Sequence, residues 1–173
     1  VGQIFGQWAK SLGCKIIGTV GSDDKIDIAK KNGCDFVINY TKENFAKKVL
    51  EITKNKGVPV VYDGVGKDTF NESIKSLSTR GLMVSFGQSS GMVEKVDMHK
   101  TFNPKSLFYT RPSLMGYTLN REELINCSNK LFEKMKNKEV KPNIYKKFKL
   151  EEAEEAHIIL QSRESSGSII LEP

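Results

Sequence analysis

Lys15-Ile-Ile-Gly-Thr-Val20, running on into Gly21-Ser22-Asp23-Asp24-Lys25, is the stretch on which the reading of the fold turns. Its first half is short and rich in β-branched residues, as in a strand covered on both faces. Its second half opens a helix at Ser22 that runs through Ala29 and closes at Asn32-Gly33. On the N-terminal side, Ile4, Phe5, Trp8, Ala9 and Leu12 recur at helical spacing and stop at Gly13. On the other side, Phe36-Val-Ile-Asn-Tyr40 reads as a second strand and Glu43 to about Asn55 as a third helix. Val58-Pro-Val-Val-Tyr62 and Leu82-Met-Val-Ser-Phe86 are further strands, separated by a helix carrying Phe70, Ile74 and Leu77. Alternation at this spacing predicts an α/β fold, a doubly wound parallel sheet with helices on both faces. Ligands of such sheets sit at the carboxyl ends of the strands, so the turns after them are the place to look.

Beyond Gly91 the rhythm changes. An irregular polar stretch with Phe102, Pro104 and Phe108 leads to Ser113-Leu-Met-Gly116, read as a last strand. Asn120 then caps a long helix. Glu123, three residues on, completes a capping box, and Leu119 with Leu124 forms a hydrophobic staple. Leu124, Cys127, Leu131 and Met135 make its apolar face; a helix from about Glu151 to Gln161 and a strand Ser168-Ile-Ile-Leu171 follow.

The chain has 173 residues, 38% hydrophobic and 28% charged, enough apolar material for one domain or a domain and a fraction. No run approaches the roughly 20 apolar residues of a membrane span, and no basic-plus-apolar leader opens the chain. Its three cysteines, Cys14, Cys34 and Cys127, lack CxxC spacing, which argues against a disulfide framework or cysteine-built zinc site and for a reducing, cytoplasmic setting. A net charge of +6 raises the case for a polyanionic partner. The lysines, however, come in dispersed pairs among acidic neighbours without interleaved aromatics, so nucleic acid is not expected. Because the first residue is Val1, a cut piece of a longer protein is expected.

Chemistry is sought at the turns. Gly2 precedes the first helix, where backbone N–H groups can meet a pyrophosphate. About 20 residues on, where an NAD site usually carries an acidic side chain, stand Gly21 and Ser22, with Lys25 just after. A cation at a helix start opposes the helix dipole, which makes sense when an anion such as the 2′-phosphate of NADP fills the site. Tyr40, ending the next strand, could lie over the same phosphate or the adenine ribose. Spacing leaves the alternative standing: a solvated Lys25 paired with Asp23 or Asp24, and a merely structural Tyr40. Asp63-Gly-Val-Gly66 and Phe86-Gly87-Gln-Ser-Ser-Gly91 end two further strands, with small residues that let a flat cofactor approach. Asp63 either faces the crevice or forms the turn or caps a helix. Gly87-Gln-Ser89-Ser-Gly91 is also a literal GxSxG, with Asp97 and His157 in the chain order of an α/β-hydrolase triad. Its continuation is only weakly helical and no oxyanion motif lies upstream. His157 falls among apolar helix residues and His99 in a lysine-flanked loop, so no metal site is expected.

Taken together, Gln7-Trp-Ala-Lys10, Gly18-Thr-Val-Gly21 with Lys25, Val37-Ile-Asn-Tyr40, Val61-Tyr-Asp-Gly-Val-Gly66, Arg80-Gly-Leu-Met-Val-Ser-Phe-Gly87 and Thr110-Arg-Pro-Ser-Leu-Met-Gly-Tyr117 carry a resemblance. With the close from Ala156-His157 through Gly167-Ser-Ile-Ile-Leu171, the chain resembles the C-terminal portion of a zeta-crystallin-type NADPH:quinone oxidoreductase of the medium-chain dehydrogenase/reductase superfamily. The resemblance implies a Rossmann domain over 1–119 lacking its first strand, and a C-terminal αβαβ tail over 120–173 that packs on an absent catalytic domain. It implies NADPH as cofactor, with Gly2 at the phosphate turn and Gly21, Ser22, Lys25 and Tyr40 at the 2′-phosphate. Val65 and Gly66 would lie toward the adenine side. Phe86, Gly87 and Ser89, and the segment Tyr117, Thr118 and Leu119, would lie toward the nicotinamide. A quinone substrate, a zinc-free reaction and a homodimer are implied as well. No catalytic acid or base is assigned, and the missing strand implies an exposed apolar seam or a gap filled by another chain. Three functions stay open: the quinone reductase, a serine esterase using Ser89, and an NADPH-binding structural protein without turnover.

Overall fold

The computed structural model describes residues 1–162 and 165–173. Its chain packs as two compact units, residues 1–37 with 129–173, and residues 38–128.

The first unit begins with α1 (Gly2–Ser11), followed by β1 (Ile17–Val20), a 3-10 turn at Asp23–Lys25, and α2 (Ile26–Lys31). It takes in the start of β2 (Phe36–Asn39), which pairs with β1. Lys10 on α1 pairs with the Asp35 carboxylate just before β2, and Asp35 Oδ2 accepts from Ile16 N at 2.8 Å. The hydrogen bond from Lys10, then that from Ile16, holds the Asp35 carboxyl below its ordinary range. The later part of this unit is the end of α7 (Arg121–Lys136), then β6 (Ile144–Lys149), α8 (Ala153–Ser162) and β7 (Ser168–Glu172). β6 and β7 run parallel with Phe148 opposite Leu171, so the segment is a βαβ crossover. Val140, Phe148 and Ala156 are its buried apolar residues.

The second unit holds a parallel three-stranded sheet in the order β3 (Val58–Asp63), β4 (Leu77–Ser85), β5 (Phe108–Thr110). Val61, Tyr62 and Asp63 face Met83, Val84 and Ser85, and Leu82 to Val84 face Phe108 to Thr110. α3 (Phe45–Ile52) starts at Asn44, whose side chain accepts from Lys47 N at 2.9 Å, and buries Phe45, Ala46 and Val49. α4 (Phe70–Ser76) and α5 (Met98–Phe102) supply Phe70 and Phe102 to a core with Leu77 and Met83. Tyr109 meets both aromatic rings edge-on, at 6.3 and 5.7 Å between centroids. The unit ends with α6 (Leu114–Tyr117) and the start of α7.

Several expectations need correction. Ser113–Gly116 is not a strand: α6 makes one helical turn there, and the last strand of the three-stranded sheet is β5, within the stretch read as irregular. Leu114 and Met115 are three-quarters exposed, so no covered face selects an extended backbone for them. The helix expected to open at Ser22 starts instead as the 3-10 turn, and Lys25 is the N-cap of α2. Leu119 is 78% exposed and no staple forms with Leu124. The expected cap of α7 does form. Asn120 Oδ1 accepts from Glu123 N at 2.9 Å, while the Glu123 carboxylate takes Leu119 N at 3.0 Å. The C-terminal αβαβ order is observed as α7, β6, α8 and β7. Residues 163 and 164, inside the stretch from Ala156 to Leu171, lie outside the described residues.

β3 is an edge strand of its three-stranded sheet, and its Val60 and Tyr62 side chains are exposed.

Candidate functional site

In the first unit two helix starts carry the candidate residues. Gly2 is the first residue of α1, which has no capping side chain at Val1 and no acidic residue in its first turn. A Cβ at Gly2 would meet nothing within 4 Å. The first-turn N–H groups of this ten-residue helix are donors of the kind an anion takes. Gly21, Ser22 and Lys25 are contiguous where β1 ends. Ser22 is extended, its carbonyl accepts from Lys25 N at 3.3 Å, and its hydroxyl makes no capping bond. Lys25 is half-buried at the N-cap of α2, while Asp23 and Asp24 beside it are exposed. A hydroxyl and an ammonium at a helix start are the donor set that a phosphate monoester takes.

In the second unit the carboxyl ends of β3 and β4 are built as a pair. Asp63 is buried at the end of β3 and serves as the turn's anchor. Its Oδ1 accepts from Val65 N at 2.8 Å, Gly66 N at 3.0 Å and Thr69 Oγ1 at 2.9 Å. Its Oδ2 accepts from Thr69 Oγ1 and Ser73 Oγ, both at 2.8 Å. The turn-forming alternative for Asp63 is thus the one realised, while the N-cap position of α4 is taken by Thr69.

The loop after β4 lies against this turn. Phe86 N donates to Asp63 O at 2.9 Å, Ser89 N to Gly64 O at 3.2 Å, and Ser90 N to Val65 O at 2.8 Å. A Cβ at Gly87 would stand 2.6 Å from Gly64 O, and one at Gly66 (φ +90°) 2.7 Å from Gly91 O. These two glycines are required by loop-on-loop contact, so their missing side chains leave no vacant cradle. What the paired loops leave accessible is the Phe86 ring, 44% exposed, and the Ser89 side chain. Ser85, one residue before Phe86, keeps a buried hydroxyl oxygen with no hydrogen-bond partner. The arrangement therefore brings Val65, Gly66, Phe86, Gly87 and Ser89 together.

Tyr40 follows β2 inside an Asx turn. The buried Asn39 Oδ1 accepts from Thr41 N at 3.0 Å and Thr41 Oγ1 at 2.7 Å, fixing the backbone on either side of the half-buried ring. Tyr117 and Leu119 are exposed at the end of α6, and Thr118 turns its hydroxyl back onto Leu114 O at 2.9 Å.

The nucleophile-elbow reading of Ser89 is overturned by the backbone. Residues 86–97 contain no helix, so the strand does not turn directly into one. Asp97 caps α5 by accepting from Lys100 N at 3.0 Å, and His157 is exposed on α8. Among the described residues no group of three or more His, Cys, Asp or Glu side chains could hold a metal ion.

Sequence spacing missed three contributors. Thr69 and Ser73, four apart on one helix face, complete the Asp63 network, and Asp-x5-Thr-x3-Ser was the available signal. Arg111, just past β5, donates to Gln88 Oε1 at 2.5 Å, a pairing with no local sequence signal.

A family model described as zinc-binding dehydrogenase matches residues 1–135. Quinone oxidoreductase 1 of Escherichia coli (strain K12) is 47% identical across the whole chain, which covers 54% of that protein. A 2-haloacrylate reductase of Burkholderia sp is 40% identical, again across the whole chain and 52% of the relative. The crystal structure of Escherichia coli quinone oxidoreductase complexed with NADPH superposes with a TM-score of 0.94 at 48% identity, covering 100% of this chain and 54% of that one. The chain thus spans about half the length of the curated relatives it matches. It belongs to the zinc-binding dehydrogenase family, and its fold is that of the C-terminal, Rossmann-type half of the quinone oxidoreductases in it.

Proposed function

We propose that this chain is the cofactor-binding portion of an NADPH-dependent quinone reductase, which moves hydride from NADPH to a quinone or a related electron-poor acceptor. The observation that carries the proposal is the chain-long, 48%-identical likeness to a quinone oxidoreductase solved with NADPH. The 2-haloacrylate reductase among the relatives favours keeping other electron-poor acceptors in view. The reduced nicotinamide supplies the hydride when the cofactor is bound. This chain's residues bind and orient. The start of α1 at Gly2 takes the pyrophosphate, and Gly21, Ser22, Lys25 and Tyr40 take the 2′-phosphate and its ribose. Val65 and Gly66 border the adenine side. Phe86, Gly87 and Ser89, with Tyr117, Thr118 and Leu119, border the nicotinamide and keep water from it.

Residues 1–119 form the Rossmann domain in this proposal and residues 120–173 belong to the catalytic domain, most of which precedes Val1 in the full-length enzyme. The enzyme is a cytoplasmic homodimer that needs no zinc. A stoichiometric zinc in purified protein, or a monomer by light scattering, would remove the corresponding part.

The central test is Lys25→Ala in the full-length enzyme. Losing a charge-assisted contact worth about 1.5–3 kcal/mol weakens NADPH roughly 10- to 100-fold and leaves NADH nearly unchanged. Equal weakening of both, by fluorescence titration, rejects the phosphate clamp. Tight NADPH binding with no oxidation by any quinone favours the structural, non-catalytic alternative.

A further inference from the structure

We infer that Gln7 is a positioning residue, clamping the phosphate-facing helices α1 and α2 to the C-terminal βαβ module through the backbone of Lys141. The inference rests on the function proposed above. Gln7 is half-buried on α1 and spends its amide on three partners. Nε2 donates to Asn32 Oδ1 at 2.6 Å and to Lys141 O at 3.0 Å, while Oε1 accepts from Lys141 N at 2.7 Å. Both N–H bonds are thus used, and the pair with Lys141 is reciprocal, as between two strands.

Each partner leads somewhere specific. Asn32 is the C-cap of α2, the helix that starts at Lys25, and its side chain is itself fixed by donating to Ile28 O at 2.8 Å. α1 and α2 also touch directly at Gly6, where a Cβ would stand 2.4 Å from Asn32 O. Lys141 lies in the crossover from α7 to β6, which is fastened on both sides of it. Lys138 turns left-handed at φ 61°, Val140 is 1% exposed, and Lys134 Nζ reaches both Glu139 Oε2 at 2.5 Å and Ser11 Oγ at 3.2 Å. On the far side, Asn143 O accepts from Ser168 N at 2.8 Å and Asn143 Nδ2 donates to Ser166 O at 2.7 Å, where β7 begins.

The Gly6 contact keeps α1 and α2 together whether or not the clamp is present. What Gln7 adds beside the Lys134–Ser11 contact is a reciprocal pair of backbone bonds from those helices to the C-terminal module, which in the proposed reading belongs with the acceptor-binding domain. Its loss should therefore disturb hydride distance more than cofactor binding, because misplacement by about 1 Å costs on the order of 100-fold in rate.

The test compares wild type, Gln7→Ala and Gln7→Glu in the full-length enzyme. Gln7→Glu keeps the acceptor for Lys141 N and loses both donated bonds, so it guards against a variant that fails to fold. Hydrogen exchange followed by NMR should show the Lys141 amide deprotected in Gln7→Ala and retained in Gln7→Glu. Kinetics should show kcat falling about tenfold in Gln7→Ala and less in Gln7→Glu, with the Kd for NADPH within about twofold. The primary isotope effect with 4-deuterated NADPH should rise as hydride transfer becomes limiting. Unchanged Lys141 protection overturns the clamp. Lost protection with unchanged kcat and isotope effect overturns the positioning role. A wild type that oxidises no NADPH overturns the function and the positioning role with it, and the exchange result tells that apart from failure of the clamp.

Discussion

Asp63 shows how a single carboxylate can build a ligand-facing turn. Two backbone N–H groups and two hydroxyls converge on it, all of them in or beside buried structure. Asp63→Ala strips these donors of their acceptor at once, so the expected loss is about 3–5 kcal/mol, measured by urea unfolding. Asp63→Asn keeps one acceptor oxygen for the backbone pair and lets the hydroxyls rotate to accept, so it should cost less than half as much. A similar cost for both would mean the charge, rather than the hydrogen-bond count, holds the turn. At this scale the sequence was partly legible. Strand-end position located Asp63, Ser22 and Lys25, because the carboxyl edge of a parallel sheet is fixed by the order of elements. The partners of Asp63 were less so, since Thr69 and Ser73 acquire meaning only after α4 is laid beside the turn. Gln7 gave no sign at all: its principal partner is 134 residues away, and backbone groups have no residue-type signature.

Among the elements, α7 is the one whose existence depends most on its ends. It spans 16 residues and buries none of them, so packing within the chain lends it little. Its N-terminal cap therefore matters, and Asn120→Ala should cost about 1 kcal/mol, read as a shift of the urea midpoint with the slope unchanged. Glu123→Gln should cost less, because the amide oxygen can still accept from Leu119 N. A cap can be read from sequence because it is a contact between residues three apart. The neighbouring α6 could not. Leu114 and Met115 are a short apolar run, which fits a buried strand or a helical turn alike, and strand identity is settled by a partner edge: β4 takes β5 as that partner instead. β5 itself escaped notice because three residues are too few to show a period. The same logic explains why Ser22 looked like a helix start. A 3-10 turn and the first turn of an α-helix share their capping residues and diverge only in hydrogen-bond register.

For the molecule as a whole, the decisive quantity is how much apolar surface the chain leaves uncovered. Leu114, Met115, Tyr117 and Leu119 are 64–78% exposed within six residues, and Val60 and Tyr62 stand exposed on the edge strand β3. Large apolar side chains exposed to this degree are rare on a stable monomer, and an open strand edge invites pairing. In the proposed full-length enzyme, further chain pairs with the open edge of β3 and covers the exposed apolar side chains. The 173 residues produced alone should accordingly bind an environment-sensitive dye such as ANS strongly and form oligomers by light scattering. The full-length enzyme should bind little dye and scatter as a dimer. Substituting Tyr62→Lys in the short form should reduce self-association by placing a charge on the open edge, without restoring NADPH oxidation. A dye-silent, monodisperse monomer of the 173 residues would reject this account, and with it the idea that the open edge of β3 is a place made for another strand.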